Sequence, residues 1–226
     1  MIKVCAISDL HGALPIIKEC NVLFICGDIF PLEIQRISTE CELWFDTIFT
    51  NWVDKLPCQK VVFIAGNHCY WLNRMGYIKI LNKIKDNPKL KNKLIYLEDN
   101  SIVIDGLKIY GCPWCTGPYG WPFVDETCSK YNLIPNCDIL LTHQPPRIEK
   151  LGCSYPNTAY EENWGSEELK QKIINKNIRY NFCGHIHTGT HGGIKLDGCN
   201  TIFYNVSIKD EDYITSFEPT YIEITN

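Results

Sequence analysis

Five separate apolar runs in this chain each finish on carboxylate, amide or imidazole side chains, and that pattern narrows the folds open to it. The first run ends in "SDLHG", carrying Asp9 and His11, and "VLFICGD" ends in Asp28. "VVFIAGNH" ends in Asn67 and His68, "DILLTH" in His143, and "YNFCGHIH" in His185 and His187. Apolar runs of this length read as buried strands. In open α/β sheets, ligands bind beyond the carboxyl ends of the strands, so polar groups placed at five such ends converge on one edge. Each piece alone is ordinary, since Asp and His often close a strand as turn residues. "GHIH" says more, because imidazoles at i and i+2 point the same way from an extended segment. Of the six histidines only His191, in "TGTHGG", lies outside these ends, and it reads as a loop residue near the site rather than a ligand.

Strand-like runs occur at 2–8, 21–26, 60–65, 94–97, 101–104, 107–111, 138–142, 179–183, 201–208 and 220–224. Helical spacing of apolar residues predicts helices over 39–56, with Ser38 as a cap, over 74–85, and over 166–176, capped by Ser166. Asp105-Gly106 between two apolar runs is a hairpin signal. Strands and helices alternate early and hairpins follow later, which argues for a layered α/β sandwich rather than a purely parallel sheet. There is no repeat, low-complexity tract or linker, so residues 1–226 read as one domain.

The composition, 45% hydrophobic and 21% charged, is that of an ordinary globular protein. A net charge of −4 gives no electrostatic case for long nucleic acid. No apolar run approaches the roughly 20 residues that span a bilayer. "MIKVCAISDLHG" turns polar too soon for a secretory signal and reads as a first strand, so the expected location is cytoplasmic. Thirteen cysteines would suggest a disulfide framework in a small secreted protein, but Cys5, Cys26 and Cys183 sit inside strand-like runs. There they read as reduced, buried hydrophobes. Cys112 and Cys115 have redox-motif spacing, yet Pro113, Gly117 and Pro118 predict a loop where a thioredoxin-like site needs a helix.

Asp9-x-His11, Gly27-Asp28, Gly66-Asn67-His68, His143 and Gly184-His185-x-His187 resemble, in order, the five blocks of the calcineurin-like metallophosphoesterases. Beyond these blocks, "NWVDKLPCQKVVFIAGNH", "IYLEDNSIVIDGLKIYGCPW", "YNLIPNCDILLTHQPP" and "FEPTYIEI" are similar to the small metallophosphoesterase-domain-containing proteins, which include cyclic-nucleotide phosphodiesterases. The resemblance implies a four-layer α/β/β/α sandwich with a dinuclear metal centre and a bridging hydroxide. It implies that Asp9, His11 and His187 hold one ion and Asn67, His143 and His185 the other, with Asp28 bridging. His68 is implied to face the phosphate and serve the leaving group. Some relatives lack the first histidine of the last block, whereas His185 is present here. Two departures stand out. Cys69 replaces the Asp or Glu that commonly follows Gly-Asn-His, and Pro31 replaces the aspartate that orients the catalytic histidine in monoesterases. Glu33 is nearby, but the sequence does not place it in space. The missing orienter favours diester cleavage.

Hydrolysis of an anionic phosphodiester needs positive charge at its oxygens and a nucleophile at neutral pH, which two divalent ions about 3.5–4 Å apart provide. A set of imidazoles, carboxylates and an amide suits Mn, Fe, Zn or Ni, with Mn favoured. The expected activity is metal-dependent phosphodiester hydrolysis on small nucleotides, cyclic ones included. The alternatives are a nuclease or broad phosphatase on the same centre, and a catalytically weakened nucleotide-binding protein. The segment "CPWCTGPYGWPFVD" offers Trp114, Tyr119, Trp121 and Phe123 as a wall on which a nucleobase could stack, or as a loop packed on its own aromatics.

Overall fold

Period-two burial sorts the strand side chains onto two faces. In β1 (Ile2–Ile7), Ile2, Val4 and Ala6 enter one core, while Cys5 and Ile7 enter another. β2 (Cys20–Ile25) repeats this, with Val22 and Phe24 on the first side and Leu23 and Ile25 on the second. In the computed structural model, which describes residues 1–225, these strands lie in a five-stranded sheet. Its other members are β3 (Cys58–Phe63), β4 (Leu94–Tyr96) and β13 (Thr220–Ile224), in the order β13-β1-β2-β3-β4. β1 to β4 run parallel and only β13 is antiparallel.

The second sheet holds β5 (Asn100–Ile104), β6 (Leu107–Cys112), β7 (Ile139–Thr142), β10 (Tyr180–Cys183), β11 (Gly192–Lys195) and β12 (Ile202–Asn205). Its order is β11-β12-β10-β7-β6-β5, with the central four strands parallel and the two edges antiparallel. A small hairpin, β8 (Cys153–Ser154) with β9 (Glu162–Asn163), stands apart. The two sheets face each other across Val4, Phe24, Val62, Ile109, Leu141 and Phe182. The Phe24 and Phe182 rings meet there at 5.5 Å. Each fully buried side chain of this size contributes about 1.5–3 kcal/mol.

Helices cover both outer faces. On the first sheet lie α1 (Ser38–Trp44), α2 (Thr50–Lys55), α3 (Tyr70–Met75) and α4 (Tyr77–Asp86), which bury Trp44, Val53, Trp71 and Ile80 against Leu23 and Phe63. On the second lies α5 (Glu167–Asn175), with Leu169 and Ile173 against Leu140 and Phe203. The result is a four-layer α/β/β/α sandwich, as expected. Among the described residues, no helix is long and apolar enough to cross a membrane.

Local differences from expectation have local causes. Ile37, not Ser38, occupies the N-cap of α1, and the Ser38 hydroxyl instead accepts a bond from Arg74 at 2.9 Å. Residues Phe45–Phe49 between α1 and α2 form a π turn, where the Phe45 carbonyl accepts both the Thr50 amide and, at 2.8 Å, the Thr50 hydroxyl. The helix expected over 74–85 breaks into α3 and α4 at Gly76, whose φ of 77° is a left-handed value. Ser166 caps α5 as expected, accepting from the Leu169 amide at 3.1 Å. β8, β9 and β11 escaped the sequence reading because two-residue strands and a Gly-Gly start carry no alternation.

Candidate metal centre

β1, β2 and β3 are neighbours and parallel, so their carboxyl ends emerge side by side, as do those of β7 and β10 in the other sheet. Asp9 and His11 follow β1, Asp28 follows β2, Asn67 and His68 follow β3, His143 follows β7, and His185 and His187 follow β10. Backbone bonds lock these turns together. The His11 amide donates to the Asp28 carbonyl at 2.9 Å, and the Asp9 amide to the Gly27 carbonyl at 3.2 Å. The His185 amide donates to both oxygens of Asp9, at 3.1 and 3.0 Å, and so ties one sheet edge to the other.

The backbone here is strained. Asp9, His11, Asp28 and His185 have φ of 55°, 41°, 51° and 70°, values uncommon for residues with a side chain and concentrated at functional sites. Gly27, at φ 110°, must be glycine twice over, because a Cβ there would also strike the His143 ring. A Cβ on Gly66 would meet Asp28 and His143, and one on Gly184 would meet Ser8 and Asp9.

All seven candidate ligands line one cleft. Ligand atoms of Asp9, His11 and His187 lie within 4.8 Å of one another, and so do those of Asp9, Asp28 and His143. His143 Nε2 is 3.0 Å from Asp28 Oδ2 and 3.0 Å from Asn67 Oδ1. His185 Nδ1 is also 3.0 Å from Asn67 Oδ1. The outer nitrogens are tied down. His143 Nδ1 donates to the Cys26 carbonyl and His187 Nδ1 to the Asp210 carbonyl, both at 2.8 Å, which turns each Nε2 into the cleft. Backbone anchoring of the far nitrogen is the usual support for a metal-binding imidazole. His11 is the strongest sign. Both its ring nitrogens are buried without a hydrogen-bond partner, which is costly unless a cation takes up a lone pair. The donor set therefore fits divalent cations.

The charges divide the histidines. Burial disfavours ionisation of Asp9 and Asp28, but His187 beside Asp9 and His143 beside Asp28 outweigh it and hold both carboxyls below their usual range. Burial likewise opposes charge on His143, yet Asp28 lifts it to about 9, and a hydrogen bond to Asp9 lifts His187 to about 9. His11 and His185 are pushed down by burial, to about 4 and about 3. Two neutral imidazoles thus stand ready to coordinate without losing a proton.

Around this cluster, His68 Nδ1 lies 2.6 Å from Gln35 Oε1, and the His68 amide donates to Asp28 Oδ1 at 2.8 Å. Burial pushes the His68 ring below its ordinary value. Glu33 is exposed, and Gln35 occupies the orienting place that the sequence left empty. Cys69 is buried, its thiol 3.8 Å from Asp28 Oδ1. His191 bonds the His187 carbonyl at 3.0 Å and stacks on Phe217, behind the cleft. The four aromatics of the proposed wall part company. Trp121 stands edge-on to His68 at 5.0 Å, and Tyr119 is 93% exposed beside it. Phe123 is only 2% exposed, inside the core, so it cannot present a face to a substrate. Trp114 packs on Phe123 with its indole N–H donating to Asp99, at 2.9 Å to the nearer oxygen, which makes it a support rather than a wall. Tyr213, which the sequence did not single out, meets His11 at 4.8 Å and His187 at 5.1 Å. Beside the histidines lies a cavity of about 230 Å³ lined by Asn67, Cys115, Trp121, Trp164 and His185 among others.

The family model described as "Calcineurin-like phosphoesterase" matches residues 2–189. The chain belongs to the calcineurin-like phosphoesterases. As a member of that family it is a metal-dependent hydrolase of phosphoesters, with candidate ligands for divalent cations in the cleft. It is 28% identical to metallophosphoesterase domain-containing protein 1 of Homo sapiens, over 96% of this chain and 69% of that protein. A UPF0046 protein of Caenorhabditis elegans is 32% identical, over 86% of this chain and 54% of its own length. Among solved structures, the phosphopantetheinyl hydrolase of Mycobacterium tuberculosis shares the fold, with a TM-score of 0.56 at 15% identity over 93% of this chain and 90% of that one. For this calcineurin-like phosphoesterase, the five strand-end motifs of the sequence and the cleft of the structure involve the same residues.

Proposed function

We propose that this phosphoesterase hydrolyses phosphodiester bonds of small nucleotides, cyclic ones included, at a dinuclear centre of divalent transition-metal ions. Asp9, His11 and His187 would hold one ion, Asn67, His143 and His185 the other, and Asp28 would lie between them. Such a pair supplies positive charge to the phosphoryl oxygens and a nucleophilic water at neutral pH. The chain's own residues do the rest. His11 and His185 bring unprotonated nitrogens to the cleft, and the tethered His143 and His187 keep theirs aimed into it. His68, adjacent to Asn67 and beside His11, delivers a proton to the departing alkoxide.

The observation that carries the diester reading is Gln35. An amide oxygen accepts the Nδ1 proton of His68 and fixes the ring without adding negative charge. A proton on Nε2 of such a ring stays acidic, which suits a strongly basic alkoxide leaving group. A monoester brings extra negative charge, and no carboxylate at Nδ1 stabilises an imidazolium to meet it. Substrate size has separate support. The 230 Å³ cavity lined by Asn67, Trp121 and His185 has room for one base or sugar beside the cluster. The net charge of −4 also disfavours a long polyanion.

The test is turnover with Mn on bis(p-nitrophenyl) phosphate, p-nitrophenyl phosphate, cyclic and linear mononucleotides, and single-stranded DNA and RNA. Diesters should be cleaved in preference to monoesters, and His68→Ala should lower kcat on the cyclic nucleotides, whose leaving group is an alkoxide, by roughly 10²- to 10⁴-fold. Preference for the monoester or for polymers would overturn the substrate reading, and no turnover with any divalent metal would leave a nucleotide-binding role.

A further inference from the structure

Ligand atoms of Cys115, His143 and His185 lie within 4.8 Å of one another, at the half of the cleft that Asn67 shares. Metal–sulfur bonds of about 2.3 Å and metal–nitrogen bonds of about 2.0–2.1 Å let one ion reach three atoms so spaced. We infer that Cys115 is a sulfur ligand to the ion held by Asn67, His143 and His185, so that this half of the centre selects a thiophilic divalent cation such as zinc or cobalt. The inference rests on the cleft being a metal centre.

Several observations support it. Cys115 is 1% exposed and its backbone is clamped, with its amide donating to the Phe123 carbonyl at 2.8 Å and its carbonyl accepting from the Asp125 amide at 2.9 Å. Among the described residues, the hydrogen bond the thiol makes elsewhere is a weak one, to the Pro113 carbonyl at 3.8 Å. Cys112, three residues earlier, points away into the outer core with Tyr110 and Ile134 and is in none of the metal-ligating groups among the described residues. The Cys-x-x-Cys spacing is therefore not a redox pair, and the partners of Cys115, which follows β6, are two histidines that follow the adjacent strands β7 and β10 of the same sheet. The opposite half offers only nitrogen and oxygen, from Asp9, His11 and His187. A thiolate favours zinc, cobalt or iron over manganese and magnesium, so the two halves would sort different metals. Binding involves no oxidation: the metal–sulfur bond forms as the S–H proton passes to water.

The experiment is anaerobic titration of the reduced, metal-stripped protein with Co(II), followed by absorption. Wild type should bind two equivalents, one of which brings a near-ultraviolet sulfur-to-cobalt charge-transfer band. Cys115→Ser and Cys115→Ala should lose that band while keeping their circular dichroism and visible cobalt bands. Cys112→Ser, and Cys58→Ser opposite Cys20 in the β2–β3 register, should keep it. Cobalt uptake without the band in wild type, or a band that survives in Cys115→Ala, overturns the sulfur ligand alone. Absence of any cobalt uptake overturns it together with the metal-centre reading.

Discussion

The strand-end cluster and the loop at 113–125 border the same cleft, but different forces hold them. The cluster hangs from five paired strands, and its turns are bonded to one another through the backbone of Asp9, His11, Asp28 and His185. The loop is fixed by one short bridge, Cys115 to Val124, by side-chain bonds from Trp114 to Asp99 and between Thr116 and Gln144, and by the packing of Trp114 on Phe123. In the first region every polar side chain meets its neighbours in the site. In the second, burial separates residues of similar type, sending Phe123 inward and leaving Trp121 beside His68. Residue type alone is therefore a good guide to chemistry at a strand end and a poor one in an aromatic loop.

Substitutions should separate the two regions. The largest effect belongs to Asp28→Ala, which removes the carboxylate 3.0 Å from His143 Nε2 at the middle of the cluster. Turnover should fall by more than the roughly 10²- to 10⁴-fold that loss of a general acid brings, and metal analysis should show depleted ions. Within the loop, Phe123→Ala should cost about 3–5 kcal/mol of stability in denaturant melts, with KM unchanged in whatever protein stays folded. Trp121→Ala should do the reverse, holding Tm while raising KM by roughly 5- to 150-fold, the equivalent of about 1–3 kcal/mol of stacking. If both variants shifted KM alike, the division of the loop into support and wall would be wrong.

A smaller effect tests Gln35. Gln35→Glu places a carboxylate at His68 Nδ1, and the alkaline limb of the kcat–pH profile should move upward while KM holds. An unmoved limb would mean that His68 is not the titrating group.

The smallest effect is on stability against pH in chelator-treated protein. His143 and His187 keep a proton to about pH 9, so their contribution is full below the ordinary 6.5 and is lost as pH rises through 9. His11 and His185, lowered to about 4 and 3, act in the other direction. Below 6.5 the unfolded chain gains protons that the folded one refuses, and stability falls. Tm should peak near pH 6.5 and decline toward both 5 and 9, and saturating metal should flatten the curve. A monotonic curve in the stripped protein would contradict this assignment of charges.

The sandwich and the cluster were legible because each rests on a local signal. An apolar run that stops at Gly66-Asn67 or Gly27-Asp28 marks the strand and its polar end in one stretch. Gln35 gave no such signal. It lies in turns between β2 and α1, and only the fold brings it 2.6 Å from a side chain 33 positions away. Tyr213 and Trp164 were missed for the same reason. The spacing of Cys115 to Cys112 carries no signal of its nearness to His143 and His185, which follow β7 and β10. The break at Gly76 was readable in principle, since glycine ends helices, but flanking residues with helical spacing masked it.

The bond from the His185 amide to Asp9 has a consequence for the molecule as a machine. With the bond from His143 Nδ1 to the Cys26 carbonyl, it spans the seam between two layers whose broad faces meet through apolar contacts. A one-step shift of one layer against the other would pull that fastening apart and drag half the cations' cage with it. The cleft is therefore a gauge of how the halves are aligned, and faults in distant packing should register there as a loosened grip on ions before the fold itself gives way.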